Sequence, residues 1–271
     1  MTWRSWVVPP AFSTWAHRRS GHLTRFDDSV HDWAQAEARS SGYDSGLILG
    51  RVVGATQKVL SEDAVFERDG VIFSSPEYRW PVLSGLLGVA ARENGLRVLD
   101  FGGSLGSVFW QHRKFFTDID VTWIVVEQPS FVAAGQSLDQ DSVSFFDSID
   151  SCIQNFSPNV ILLSSVLQYL PEPDRVLAEL LDTSANTLII DRTPTSEAES
   201  NVACLQIVPA HIYSGNYPAW VFSRTWLTTQ LEQFNQFEVA AWFDGIEPIC
   251  RTSSGLAFKW DGLIAQRKNN D

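Results

Sequence analysis

From residue 95 onward the chain alternates short apolar segments with amphipathic ones, and this alternation constrains the fold more than any other feature. The apolar segments are five or six residues long and rich in β-branched residues, which is typical of buried strands. They lie at residues 96–101, 122–127, 142–146, 160–164 and 187–191. Helical patterns separate them, at residues 107–116, 129–139, 148–155 and 173–182. This alternation predicts a doubly wound α/β fold, in which helices cover both faces of a parallel sheet.

The segments outside this alternation differ in character. Apolar spacing predicts helices before it, at residues 28–38, 46–60 and 80–94, with a hairpin between them at residues 64–73. A helix at 226–234 and two closing strands at 237–243 and 262–267 are predicted after it. We therefore divide the chain into a helical N-terminal cap or lid, residues 1–92, and an α/β domain, residues 93–271.

Composition limits the partners and the compartment. The net charge of −12 over 271 residues disfavours nucleic acid and anionic membranes, both of which attract clustered Lys and Arg. No segment approaches the ~20 apolar residues that span a bilayer, and no signal peptide is apparent. Cys152, Cys204 and Cys250 are scattered, and no His, Asp or Glu cluster has metal-ligand spacing. We expect a cytoplasmic protein with reduced thiols, a small-molecule substrate and no metal; a homodimer remains possible.

A glycine-rich turn follows the first predicted strand of the α/β domain. The strand ends in Asp100, and Gly102, Gly103 and Gly106 follow before the next helix begins. Glycines allow the backbone to approach a ligand closely, and the start of a helix offers free N–H groups. In open α/β sheets ligands bind at the carboxyl ends of the strands. The turn is therefore a candidate ligand site.

Two nucleotide cofactors compete for such a turn. The dinucleotide pattern G-x-G-x-x-G, started at Gly102, requires glycine at positions 104 and 107, where this chain has Ser104 and Ser107. The methyltransferase pattern requires an acid at the strand end with glycines two and six residues later, as Asp100, Gly102 and Gly106 provide. The glycine usual between those two positions is Ser104 here.

The second strand of the domain supports a nucleoside ligand. It ends in Glu127, which lies 21 residues after Gly106. An ionised carboxylate at a strand tip can accept hydrogen bonds from both hydroxyls of a ribose. The turn and this acid in the right order predict an adenosine-containing ligand.

The next two strand ends offer further contacts. Phe146 can stack on an adenine ring while Asp147 accepts from its amino group. The alternative is that Asp147 or Ser148 merely caps a helix. The fourth strand runs into Ser164, Ser165, Gln168 and Tyr169, which we expect near the reactive end of the ligand.

With these residues, the chain resembles the class I S-adenosylmethionine-dependent methyltransferases. It most resembles a family of methyltransferases of bacterial polysaccharide and natural-product gene clusters, over residues ~40–267. The matching stretches are 41–45, 98–106, 125–128, 164–170, 191–194 and 217–220. The resemblance implies a Rossmann-like sheet, S-adenosylmethionine as the cofactor, and Gln128 beside Glu127 in its site. Some members of this type are similar to azetidine-2-carboxylate synthases, which cyclise S-adenosylmethionine and release methylthioadenosine.

Residues from the rest of the chain complete the predicted site. Arg192 could grip a carboxylate and Asp191 could orient it, although a structural ion pair is an equal alternative. Tyr217 and Trp220 belong to an aromatic run, with Tyr213 and Phe222, that we place on a loop. These rings either bind a sulfonium cation or pack the N-terminal helices onto the domain. From the cap, Tyr43 and Tyr78 are expected to reach the methionine end of the cofactor. His211 is a weaker candidate for a general base.

Three functions remain open. In the first, the protein transfers a methyl group to an external small molecule, which requires positioning more than acid–base chemistry. In the second, the protein cyclises S-adenosylmethionine itself, with Tyr169, Tyr217 and Trp220 holding the folded cation. In the third, it binds the cofactor without catalysis. The sequence contains no recognisable acceptor-binding motif.

Overall fold

A central sheet organises the protein in the computed structural model, which describes residues 24–40, 45–208, 215–233 and 237–268. Five of its strands are parallel and occur in the order β6-β5-β4-β7-β8. They are β4 (Leu96–Phe101), β5 (Val121–Val126), β6 (Val143–Phe146), β7 (Val160–Ser164) and β8 (Thr187–Ser196). The strand order reverses between β4 and β7, which places a ligand-binding crevice at their carboxyl ends.

Two further strands, added by antiparallel pairing, complete this sheet beyond β8. β13 (Ala257–Arg267) pairs with β8, and β11 (Phe237–Asp244) pairs with β13. The resulting order, β6-β5-β4-β7-β8-β13-β11, is that of the class I methyltransferase fold. The predicted fold class is therefore confirmed.

Helices cover both faces of the sheet. One face packs against α3 (Trp80–Glu93), α4 (Ser107–His112) and α5 (Pro129–Gln136). The other packs against α6 (Ile149–Ile153), α7 (Pro173–Leu181) and α8 (Arg224–Gln233). The central strands are apolar on both sides: in β4, Val98 contacts the first layer and Leu99 the second, and both are fully buried.

The N-terminal part is only partly helical. It contains β1 (Arg25–Asp27), α1 (Trp33–Arg39), α2 (Ser45–Leu60) and the predicted hairpin, with β2 (Phe66–Arg68) and β3 (Val71–Phe73). Helix α1 begins five residues later than predicted because Asp32 caps it, accepting from the backbone N–H of Gln35 at 2.8 Å. The predicted boundary at residue 92 falls inside α3, which packs on the sheet.

An extension of the sheet was not predicted. β8 continues to Ser196 instead of ending at residue 191, and β9 (Val202–Val208) and β10 (Gly215–Ser223) follow it. β10 pairs with the end of β8 and with β9, and β1 pairs with the outer edge of β9. The placement of Tyr217, Trp220 and Phe222 on a loop was therefore wrong. Tyr213 lies outside the described residues.

A short strand, β12 (Cys250–Arg251), pairs with the start of β13.

Among the helices that the structure describes, none combines the length and apolar character needed to cross a bilayer.

Candidate functional site

A cleft of about 1160 Å³ opens at the carboxyl ends of the parallel strands. The turn after β4 and the tips of β5, β6 and β7 form its floor, and β9, β10 and the hairpin β2–β3 form its walls. Eleven residues predicted from sequence line it: Gly102, Gly103, Glu127, Gln128, Asp147, Ser164, Ser165, Tyr169, Asp191, Arg192 and Tyr217. Sequence reasoning therefore identified much of one continuous surface.

The glycine-rich turn requires its glycines for two different reasons. Gly102, Ser104 and Gly106 have φ of 70°, 56° and 85°, the left-handed region that side chains disfavour. At Gly103 the reason is space, because a Cβ there would lie 2.4 Å from the carboxylate of Asp100. The turn therefore presents bare backbone to the cleft. Gly106 lies behind it, against Val143.

Asp100 supports the turn from beneath and is fully buried. Its Oδ2 accepts from Nε1 of Trp123 at 3.0 Å, whereas Oδ1 has no partner among the described residues. Burial raises the pKa of Asp100 to about 7, and the nearby charge of Glu127 adds to this. An orphaned acceptor of this kind fits a donor supplied by a ligand or an ordered water.

Glu127 lies at the tip of β5 and faces the cleft. The backbone N–H of Gln128 donates to its Oε2 at 2.7 Å. Burial raises the pKa of Glu127, and hydrogen bonds from the backbone N–H groups of Gln128 and Ser104 oppose that rise. The carboxylate is thus held in place at the strand tip with room for further donors.

At the end of β6, only one of the two predicted adenine contacts lines the cleft. Asp147 lines the cleft, whereas the ring of Phe146 packs into the apolar layer beneath. Ser148 is the N-cap of α6 and accepts from the N–H of Ser151 at 3.2 Å. Asp147 is thus free of the capping role, although its Oδ1 accepts from the hydroxyl of Ser151 at 3.3 Å.

The end of β7 is supported by a buried amide. Gln168 does not line the cleft; its Nε2 donates to Oγ of Ser165 at 3.1 Å, and its Oε1 has no partner among the described residues. Ser165 has a left-handed φ of 59° and its N–H donates to the carbonyl of Asp191 at 2.9 Å. Ser164 and Ser165 face the cleft on this rigid corner.

Asp191 and Arg192 each form ion pairs with other residues rather than with each other. Asp191 accepts from Nε of Arg79 at 3.1 Å and makes a second, shorter contact with its Nη2. Arg192 donates to Glu247 at 2.7 Å and to Asp69 at 3.3 Å. Burial acts to lower the pKa of Arg192, but these two acids hold it above its usual value. Asp191 and Arg192 therefore both take part in structural ion pairs, which was the alternative to binding a ligand carboxylate.

His112 lies behind the ion pair of Arg79 and Asp191 and is uncharged. The backbone N–H of Arg79 donates to Nε2 of His112 at 3.0 Å, and Nδ1 of His112 faces the carbonyl of Val108 at 2.8 Å. This arrangement assigns the proton to Nδ1. Burial lowers the pKa of His112 to about 4, so it is uncharged at neutral pH. Both of its nitrogens are used, and it supports the site without entering the cleft.

The aromatic residues divide into two groups. Tyr169 donates to Gln206 at 3.1 Å, Gln206 donates to the hydroxyl of Tyr217 at 3.1 Å, and all three line the cleft. Trp220 instead donates to the carbonyl of Leu170 at 3.0 Å and stacks on Trp33 of α1 at 5.4 Å. Trp220 therefore packs the N-terminal segment onto the sheet and does not line the cleft.

The two cap tyrosines are not both placed in the site. Tyr78 packs against Trp80 and Phe115, at centroid distances of 5.3 and 4.9 Å, and does not line the cleft. Tyr43 lies outside the described residues, as does His211. Within the part of the chain that the structure describes, no group of three or more His, Cys, Asp or Glu side chains could hold a metal.

Sequence reasoning missed four carboxylates that line the cleft, of which Glu67 is the buried one. Glu67, on β2, is 1% exposed and accepts from the hydroxyl of Ser107 and from the N–H of Gly70, the latter at 3.0 Å. Burial raises the pKa of Glu67 to about 7. The predicted hairpin contained this residue, but nothing local indicated that tertiary packing would bury its side chain beside the glycine-rich turn.

The strand order and the flanking helices give the class I methyltransferase fold. No protein-family model matches the chain, and no curated protein sequence matches it. The N-terminal domain of EvdMO1, crystallised with S-adenosylhomocysteine and D-fucose, is similar in structure, with a TM-score of 0.50. The identity is 15%, and the match covers 84% of this chain and 98% of that domain.

Two further solved structures show weaker similarity. A SAM-dependent methyltransferase from Methanosarcina mazei has a TM-score of 0.48 at 14% identity, covering 70% of this chain and 98% of its own. The 1,6-didemethyltoxoflavin-N1-methyltransferase from Burkholderia thailandensis has a TM-score of 0.41 at 12% identity, covering 86% of this chain and 97% of its own.

Proposed function

We propose that this protein is an S-adenosylmethionine-dependent methyltransferase that acts on a small molecule in natural-product or polysaccharide biosynthesis. The observation that carries the proposal is the pairing of a bare glycine turn with Glu127 at the tips of adjacent strands β4 and β5. Adjacent strand tips of this kind bind the nucleoside part of a ligand in open α/β sheets.

The residues present fit this cofactor. Glu127 would accept the ribose hydroxyls, and Asp147 would accept from the adenine amino group. The backbone at Gly102 and Gly103 leaves the close approach that a Cβ would prevent. The orphaned Oδ1 of Asp100 is a further acceptor immediately beneath the turn. These five residues supply acceptors and space, which suits a ligand with hydroxyl, amino and ammonium groups.

When bound, the cofactor supplies a methyl group already activated by the sulfonium. The chain's own residues therefore position an acceptor, exclude water and manage a proton. Ser164, Ser165 and Tyr169 border the cleft beyond the turn, where the methionine end would lie. Burial raises the pKa of Tyr169 to about 12, so it remains a neutral ring and donor.

The wall opposite the turn supports a polar acceptor. Tyr169, Gln206 and Tyr217 form a hydrogen-bonded row along it. Nε1 of Trp33, in the same cleft, has no partner among the described residues. Buried polar groups in this arrangement favour a molecule with several hydroxyl or carbonyl groups. The similarity to a domain crystallised with D-fucose is compatible with such an acceptor.

The proposed partners and location follow from charge and thiols. A net charge of −12 favours small molecules over nucleic acid. Cys152, Cys204 and Cys250 are all free. We therefore place the protein in the cytoplasm.

Cyclisation of S-adenosylmethionine to azetidine-2-carboxylate is a second candidate. One observation favours it: Tyr169 and Tyr217 face the cleft edge to face, with centroids 5.4 Å apart. Two such rings can stabilise a folded sulfonium by cation–π contact. Trp220 stacks on Trp33 but does not itself line the cleft, so it does not contribute.

Incubation with S-adenosylmethionine followed by mass analysis of the nucleoside product decides between the candidates. We expect S-adenosylhomocysteine, formed only when a pathway extract or an acceptor library is added. Methylthioadenosine formed without any acceptor would establish cyclisation instead. Glu127→Ala serves as the control for background breakdown of the cofactor, because it removes the proposed ribose contact.

A further inference from the structure

Glu67 is a buried carboxylate in the cleft for which no predicted role accounts. It comes from the hairpin β2–β3, outside the sheet, and its side chain reaches the first turn of α4. There Ser107 donates to its Oε1, while Gly70 donates to its Oε2 at 3.0 Å. Ser107 directly follows the glycine-rich turn. Glu67 therefore borders the cleft beside the glycine-rich turn.

We propose that Glu67 is the proton acceptor of the site, and that the methylated atom is an oxygen or nitrogen that carries a hydrogen. This proposal rests on the proposed function. Glu67 combines three properties that a general base requires: it borders the cleft, two donors fix its orientation, and its carboxylate keeps lone pairs. An ionised carboxylate has about four acceptor sites, and the two donors use only two of them.

The charges around Glu67 are suited to this role. Burial raises the pKa of Glu67 to about 7, so it can accept a proton at neutral pH and return it to water. Of its neighbours on the hairpin, Asp69 raises this pKa and Arg68 lowers it. The elements packed against β2 carry Arg51 and Lys58 on α2 and the neutral His112 on α4.

The other carboxylates of the cleft are paired, exposed or assigned to the nucleoside. Asp69 is paired with Arg192, Glu179 is exposed, and Asp147 is the proposed adenine contact. Asp191 is bound to Arg79, and Glu247 is bound to Arg192. Glu127 is the proposed ribose ligand. Burial raises the pKa of Tyr169 to about 12, which leaves it protonated at neutral pH. Glu67 is thus the carboxylate best placed to receive a proton from a bound acceptor.

The step balances without a further reactant. The acceptor oxygen or nitrogen donates an electron pair to the methyl carbon as the carbon–sulfur bond breaks, and sulfur keeps the electron pair of that bond. The acceptor's hydrogen passes as a proton to a free lone pair of Glu67, which then releases it to solvent. The products are the methylated acceptor, S-adenosylhomocysteine and one proton.

The test uses two known ligands that differ in the charge at sulfur. S-adenosylmethionine carries a sulfonium there, whereas S-adenosylhomocysteine carries a neutral thioether. Calorimetry should measure both dissociation constants from pH 5.5 to 8.5 for the wild type, Glu67→Gln and Glu179→Gln. Glu179 is a matched control because it also borders the cleft, from α7, but is exposed. Because the same two ligands are used with every protein, a difference between the variants reflects groups of the protein and not those of the ligands.

An ionised Glu67 near the reacting centre favours the cation. We expect the preference for S-adenosylmethionine to rise about 3- to 10-fold through pH 7 in the wild type and in Glu179→Gln, relative to Glu67→Gln. Equal pH profiles for the wild type and Glu67→Gln would overturn the role of Glu67 while leaving cofactor binding established. Failure of the wild type to bind either ligand would instead overturn the proposed function.

Discussion

At position 103 the turn has room for the hydrogen atom of glycine but not for a larger side chain. A Cβ there would lie 2.4 Å from the Asp100 carboxylate, which Trp123 holds in a buried position. We expect Gly103→Ala to distort the turn and weaken binding of S-adenosylhomocysteine at least ~10-fold, the scale of one lost hydrogen bond or more. Calorimetry measures this directly.

The chain offers a matched control for that substitution. Gly50, on helix α2, has no atom within 4 Å of its Cβ position. Gly50→Ala should leave binding unchanged and raise stability by ~0.5–1 kcal/mol, because alanine favours a helix. Equal affinity for both variants would show that the turn does not approach the ligand.

Glu127 has a separate and larger expected effect on binding. We expect Glu127→Ala to weaken binding of S-adenosylhomocysteine by ~1.5–3 kcal/mol, the range for hydrogen bonds to a charged group. Glu172→Ala is the control, since that side chain is exposed on α7's N-terminal side. Calorimetry on the folded variants checks this, and an unchanged affinity would remove Glu127 from the site.

The raised pKa of Glu67 has a consequence for stability. Between about pH 4.5 and pH 7 the folded state holds a proton on Glu67 that the unfolded state has released. The wild type therefore loses stability as the pH rises through this window, and the loss is complete above pH 7. Asp100 acts in the same direction, because burial also raises its pKa to about 7.

Glu67→Gln removes the part of this pH-dependent loss of stability that is due to Glu67. The part due to Asp100 stays in place. We expect the variant to gain roughly 3 kcal/mol over the wild type at pH 8, and little at pH 4.5. Urea unfolding of the protein without ligand, at both pH values, measures the difference. A gain that is the same at both pH values would mean that Glu67 does not titrate anomalously.

At the level of elements, the hairpin and the strand extension are the parts that bring remote residues to the cleft. Hairpin β2–β3 contributes Glu67 and Arg68, and β9 contributes Gln206. We expect bound S-adenosylhomocysteine to protect residues 66–73 from hydrogen exchange, as well as the turn after β4. Protection confined to residues 96–191 would contradict a role for the N-terminal segment in ligand binding.

The elements also show what the sequence could predict. Strands β4 and β7 have the predicted bounds because both are mostly apolar and their apolar residues are buried on both faces of the sheet. β10 was missed because Gly215, Asn216 and Pro218 are residue types that indicate a loop. Pairing with β9 outweighs these local preferences.

At the scale of the whole molecule, the predictable parts of the site are those whose residues lie close together in the sequence. Asp100, Gly102 and Glu127 belong to contiguous motifs, so their spacing alone indicated a nucleoside site. The pair of Arg79 with Asp191 joins residues 112 positions apart. Such contacts depend on tertiary packing, which no local pattern encodes.

The pairing of β1 with β9 has a consequence for shortened forms of the protein. β1 covers the outer edge of β9, and Asp28 fastens it by accepting from the hydroxyl of Ser253 at 2.7 Å. A chain that began at Trp80 would retain the central parallel strands and the pairing of β9 with β10, but leave the outer edge of β9 without a partner. An uncovered strand of seven largely apolar residues is a template for intermolecular pairing. Removal of the N-terminal segment would therefore convert an internal strand into an aggregation-prone edge.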